Sequence, residues 1–188
     1  CAPDACCNTC PVPTRRSVEH DSPGTGQSAG HAVKINLISV GTRMPDWVQQ
    51  GVMEYSKRLP ADFSLQCIEV PLGKRGKNSD PQQAMRQEGD ALLSRLSARD
   101  YVVALDVLGR SLSTEAMAAR VGAIRDDGKH LSLLVGGPDG LSHECLSRAD
   151  EKWSLSALTL PHPLVRIVLA EQIYRVWSVL AGHPYHRA

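Results

Sequence analysis

The sequence predicts an α/β protein, a mostly parallel sheet with helices on both faces. Two observations carry that expectation. From Val33 onward strand-like and helix-like segments alternate as βα, βα, βα, βα, β, α, with short connections and no internal repeat, and alternation of this kind builds parallel sheets. Tyr101 to Leu105 and Leu131 to Val135 are nearly unbroken apolar runs, the mark of strands covered on both sides. At 188 residues and 42% hydrophobic content, one domain can bury a sizeable core. No run approaches the roughly 18 apolar residues of a membrane span. The net charge of +1 argues against indiscriminate adhesion to nucleic acid or acidic membranes, so any RNA contact must come from local patches.

The elements follow in order. Ile35, Leu37, Ile38 and Val40 form a short strand ending at Gly41. Asp46 is placed to cap a helix through about Leu59, with Trp47, Val48, Val52, Tyr55 and Leu59 near one face and Pro60 as its stop. Leu65 to Val70 is the second strand, followed by the basic loop Gly73-Lys74-Arg75-Gly76-Lys77. Asp80-Pro81-Gln82-Gln83 supplies an N-cap, a proline at N1 and a glutamine at N3, opening a helix through about Leu96. The strand Tyr101 to Leu105 runs into a loop, Asp106-Val107-Leu108-Gly109. A helix from about Ser113 to Arg125 ends at Gly128, and the strand Leu131 to Val135 runs into Gly136-Gly137-Pro138-Asp139-Gly140. Ser142 caps a short helix. Trp153 to Leu160 reads as a buried strand entering a rigid loop at Pro161 and Pro163. The last helix carries Val165, Leu169, Ile173, Val176, Trp177 and Leu180 on one face, with Gly182 and Pro184 as its stop.

Residues 1–32 stand apart. They are rich in Pro, Ser, Gly and polar residues, and hold Cys1, Cys6, Cys7 and Cys10. A zinc knuckle with His20 would need two paired ligand groups, and only one usable chelate pair is present, so no metal is expected. The segment is read as a disordered leader or a mis-annotated start, without the apolar region of a secretory signal. Residues 33–188 form the domain. Cys67 and Cys145 are read as small core residues.

Parallel α/β sheets bind ligands outside the carboxyl ends of their strands. Three loops leave such ends, after Leu105, after Val135 and after Trp153 to Ser156. The glycine turn at Gly136 to Gly140 allows close backbone approach to a ligand, but its place at the fourth strand excludes a dinucleotide fingerprint. Lys74, Arg75 and Lys77 can touch phosphates or simply solvate a surface loop. His162, between two prolines, is either a proton acceptor or a turn residue. Arg166 and Arg175 lie on the polar face of the last helix, about 180° apart, so they cannot both serve one small site; one could serve a ligand and the other a partner subunit. Tyr185-His186-Arg187 ends the chain with three donor-rich groups, where a frayed tail would be ordinary.

Together the basic loop, Leu105-Asp106 with Gly109, LLVGGPDGL (133–141), WSLSALTLPHPLVR (153–166), AEQIYR (170–175) and HPYHR (183–187) resemble the RlmH family. These are bacterial 23S rRNA pseudouridine N3-methyltransferases of the SPOUT superfamily. The resemblance runs from about Val33 to Arg187. It implies a C-terminal trefoil knot, a homodimer and S-adenosylmethionine bound in the knot, in a cytoplasmic protein acting on 23S rRNA, most simply in an assembled ribosome. The family's cofactor positions fall on Leu105, Gly136, Leu155, Ser156, Ala157, Leu158, Thr159 and Leu160.

Methylating N3 of a uracil-type ring requires loss of the N3 proton, and each pKa unit above the working pH costs about 1.4 kcal/mol unless the site stabilises the anion. The candidates are Arg175, Tyr185, His186 and Arg187, with His162 near the cofactor loop. His186 is assigned as proton acceptor because imidazole titrates near neutrality. A tail and a cofactor loop are most simply brought together across a symmetric dimer. Two alternatives belong to other classes: a ribosome-binding factor of the same fold that does not methylate, and an α/β enzyme using another nucleotide, which the misplaced glycine turn disfavours.

Overall fold

A computed structural model of the chain describes residues 31–42, 44–76 and 80–187, with the backbone alone for 186 and 187. The cysteine cluster of the first ten residues, His20, Lys77 and the side chains of His186 and Arg187 lie outside what is described.

Five strands alternate with five helices: β1 (Val33–Val40), α1 (Asp46–Ser56), β2 (Phe63–Val70), α2 (Pro81–Leu93), β3 (Asp100–Ser111), α3 (Thr114–Asp126), β4 (His130–Val135), α4 (His143–Arg148), β5 (Glu151–Ser154) and α5 (His162–Leu180). A 3-10 turn, Pro184–Arg187, closes the chain. The sheet order is β2-β1-β4-β3-β5, and every pairing is parallel. The expected alternation is therefore borne out.

Side chains alternate across the interior strands, which divides the core in two. Ile35, Leu37, Val103, Leu131 and Leu133 face a cluster completed by Met117 and Val121 of α3 and Leu169, Ile173 and Val176 of α5. Ile38, Val40, Val102, Ala104 and Leu134 face the other, closed by Leu92 of α2 and Cys145 of α4. α1 packs on α5. Helices thus cover both faces, and α5 packs against both α1 and α3. No helix among the described residues is long and apolar enough to cross a membrane.

Several helix ends follow the local signals. Asp80 accepts from the Gln82 N–H at 3.0 Å with Pro81 at N1, Ser113 accepts from the Ala116 N–H, and Ser142 from the Cys145 N–H. Gly128 and Gly182 take positive φ just beyond α3 and α5.

Five expectations need correction. Asp46 is the first helical residue, behind an N-cap at Pro45 with no side-chain cap; its carboxylate serves the first-turn dipole instead. α1 and α2 stop three residues early, finishing in tighter turns such as Leu59 N–H to Ser56 O and Leu96 N–H to Leu93 O. β3 does not end at Leu105. Leu105 and Arg110 both pair with Trp153, and residues 106–109 bulge out between them, held by a 2.8 Å bond from the Leu108 N–H to Asp106 Oδ1. β5 ends at Ser154, not Leu160, because the interleaved hydroxyls capture the backbone: Ser154 Oγ donates to Ser156 O at 3.1 Å and Ser156 Oγ accepts from the Leu158 N–H at 2.9 Å. Cys145 is buried as expected, but Cys67 is exposed on the edge strand β2.

Candidate functional site

The loops leaving β3, β4 and β5 converge on one cleft of about 260 Å³. β3 and β4 are neighbours, as are β3 and β5, so their carboxyl ends open on the same rim. Leu105, Gly136, Leu155, Ser156, Leu158, Thr159 and Leu160 all line the cleft, and His162 joins them; Ala157 does not. The sequence reading missed Asp106 and Val107 of the bulge, and Leu141, Trp153 and Val165. The bulge could not be anticipated because it depends on the second pairing of β3 with Trp153.

Backbone closeness shapes this wall. The turn closes with a 2.9 Å bond from the Gly140 N–H to Gly137 O, and a Cβ on Gly136 would run into the Gly140 backbone. Main-chain groups therefore line the cleft beside apolar side chains. Such a mixture suits a heteroaromatic nucleoside: apolar walls hold its faces while peptide groups meet its polar edge. The cleft residues accordingly fit S-adenosylmethionine. Leu158 stands 73% exposed at the rim of the cleft.

His162 opens α5 at the edge of the cleft, with its Nδ1 buried and unpartnered. Burial first, then the nearby Arg166 charge, hold its pKa below the ordinary histidine range, with Glu88 and the Gly137 backbone opposing. The ring is neutral at physiological pH, which removes a cationic repulsion from the cleft.

Arg166 does not lie on a solvated polar face. It is 3% exposed, donates from Nη2 to Gly41 O at 2.6 Å and Val40 O at 3.4 Å, and ion-pairs through Nη1 with Glu69. Because α5 is sandwiched, even this position meets protein, where the guanidinium satisfies carbonyls left at the end of β1. Arg166 is thus a strut, not a group for ligand or partner.

The tail forms a second cluster. Arg175 donates to Glu171 Oε1 from Nε at 2.9 Å and Nη2 at 2.6 Å, and Tyr185 O–H donates to the same oxygen at 3.2 Å. The guanidinium stands 4.9 Å from the Tyr185 ring centroid, and that ring meets Tyr174 edge-on at 4.7 Å. Burial, then Glu171, push the Tyr185 hydroxyl up from its usual value, so it is a donor at neutral pH rather than a base. His162 and Arg175 belong to the same helix, thirteen residues apart, which is about 20 Å along its axis. The structure therefore brings the predicted cofactor residues together and leaves the tail cluster at the far end of α5.

The basic loop divides similarly. Lys74 and Arg75 are both exposed, but the Arg75 guanidinium is pinned, pairing with Asp139 of the glycine turn and with buried Glu88 of α2 at 3.0 Å.

Comparison with known proteins bears on this cleft. A family model described as predicted SPOUT methyltransferase matches residues 33–186. The chain belongs to that family. Curated relatives named Ribosomal RNA large subunit methyltransferase H are similar over 155 residues, 82% of this chain: 58% identical in Chromohalobacter salexigens and 53% in Marinomonas sp. strain MWYL1, each covered fully, and 54% in Hahella chejuensis, covered over 99%. This places the SPOUT chain in the RlmH family indicated by its motifs. Glu88 is the residue of the SPOUT domain that sequence reasoning most clearly missed. Ala84, Glu88 and Leu92 repeat every four residues on one buried face of α2, but a carboxylate at such a spacing reads as solvated until its partners are known.

Proposed function

We propose that the protein is an S-adenosylmethionine-dependent methyltransferase acting on N3 of a pseudouridine in 23S rRNA, in the assembled ribosome and in the cytoplasm. The observation that carries this is the convergence of three strand-end loops on one apolar, backbone-lined cleft, in a chain of the SPOUT family whose relatives bear a ribosomal RNA methyltransferase name. A trefoil knot formed by the C-terminal segment is part of the proposal. So is a homodimer, because the tail cluster and the cleft stand at opposite ends of α5 and one chain does not join them.

Bound in the cleft, S-adenosylmethionine would supply an electrophilic methyl on a sulfonium. Leu105, Gly136 and the 155–160 loop would hold it, and neutral His162 would spare it a like charge nearby. From the partner protomer, Arg175 and the protonated Tyr185 would stabilise charge on the ring after its N3 proton leaves. His186 takes that proton, and Arg187 binds phosphate or ring oxygens. Lys74 and Lys77 meet RNA phosphates, with Arg75 reaching them only if its carboxylate partners release it.

Calorimetry with S-adenosylmethionine and mass mapping of 23S rRNA with and without the gene test the reading. Binding together with one lost methyl group is expected. Failure to bind the donor would instead favour a non-catalytic clamp on the ribosome. For the shared site, a variant lacking residues 184–188 is mixed with one altered at Gly136. Mixed dimers should recover activity that both parents lack, and no recovery would overturn the composite arrangement.

A further inference from the structure

Glu88 is a charged side chain among the largest fully buried residues, 2% exposed. Its Oε1 accepts from the Gly73 N–H at 2.9 Å and from Arg75 Nη2 at 3.0 Å. Through Nη1 the same guanidinium reaches Asp139 in the turn after β4. Glu88 Oε2 has no hydrogen-bond partner and lies so close to Gly137 that a Cβ there would collide with it. Three segments distant in sequence, the basic loop, α2 and the glycine turn, therefore meet at one carboxylate. Burying such a charge is unfavourable unless it is paired, and an apolar residue of similar volume in its place is often neutral or stabilising. Stability alone thus gives a poor reason for the group. Position gives a better one.

We propose that Glu88 is a positioning residue for the donor cleft. It fixes the Gly136 to Gly140 turn directly, through the contact of its carboxylate with Gly137, and indirectly, by aiming Arg75 at Asp139. Gly73, Arg75 and Glu88 do not line the cleft; they act on it through the turn, and Glu88 also through its charge near His162. The cleft wall is consequently held by a latch whose other end belongs to the basic loop. Glycine is needed at position 137 for the same reason, because any side chain would push the turn off its anchor. This inference rests on the proposed donor site for its functional consequence, though not for the geometry of the latch.

The test uses Glu88→Gln, which keeps shape and the acceptor for Gly73 but removes the charge that holds Arg75, and Arg75→Met, which removes the fork. Hydrogen exchange is measured on ligand-free protein. The amides of Gly136, Gly137, Asp139, Gly140 and Leu141 should exchange about tenfold faster in both variants, the loss expected for one charge-assisted hydrogen bond, while β1 amides stay protected. With donor, the KM for S-adenosylmethionine should rise by about the same factor and by more than kcat falls. A lowered melting temperature with unchanged exchange in the turn and unchanged donor KM would mean a merely structural carboxylate and overturn the proposal. Asp139→Asn, at the exposed end of the latch, shows the same direction if Glu88→Gln fails to fold; unchanged turn exchange there would also refute it. Should the wild-type protein not bind the donor, the methyltransferase reading fails, and the exchange measurement alone still decides the positioning role.

Discussion

Replacing Arg166 with Met separates a strut from a ligand-binding group. The substitution keeps the apolar stem and removes all donors. Lost are the bonds to the carbonyls of Gly41 and Val40 and the partner of Glu69. Breaking a buried pair costs about 3–5 kcal/mol. The Glu69 side chain is 35% exposed, so water recovers part of that, and about 2–3 kcal/mol is the better expectation. For a domain of this size the melting temperature should fall by about 4–12 °C. Urea unfolding followed by far-UV circular dichroism measures the loss, at several protein concentrations because association would move the midpoint. Calorimetry with S-adenosylmethionine runs in parallel. A melting temperature within about 2 °C of wild type, together with a large loss of donor affinity, would show that Arg166 serves the ligand and refute its assignment as a strut.

Three further outcomes are expected. Tyr185→Phe keeps the ring against Tyr174 and Arg175 and loses only the bond to Glu171, so stability should change by less than about 1.5 kcal/mol and donor binding should hold while methylation falls at least about tenfold; full methylation in single-turnover assays would remove Tyr185 from the mechanism. Ser156→Ala removes the acceptor for the Leu158 N–H and should weaken donor binding by about three- to tenfold, which calorimetry checks against an unchanged affinity. His162 is held below its ordinary pKa, so the unfolded chain binds a proton that the folded one refuses. Its contribution is fully present above about pH 6.5 and is lost as pH falls toward the folded pKa. His162→Asn should therefore flatten the fall in stability below about pH 6.5 in urea titrations, and an unaltered slope would contradict the assignment.

Much of the site was legible because it consists of strand ends. Apolar runs at 101–105 and 131–135 mark covered parallel strands, and such sheets bind ligands at their carboxyl edge. The loops beginning at Leu105, Gly136 and Leu155 could therefore be singled out before any packing was known. The family motifs then named residues within them. The bulge at 106–109 was not legible, because it exists only through a double pairing with Trp153. Glu88 escaped for a related reason: a carboxylate in a helix reads as solvated until its partners, Gly73 and Arg75, arrive from elsewhere in the chain.

The sequence by itself determined the alternation of elements, several of the caps that bound them and the edge of the sheet where chemistry can occur, since these depend on neighbours within a few residues. Tertiary structure alone decided which polar groups remain available. Arg166 and Arg175 both read from sequence as cationic positions on a helix, until packing buries one against the end of β1 and sets the other beside the tail. The physical reason is that a charge is assigned its role by partners brought together in space, and no local pattern specifies those partners.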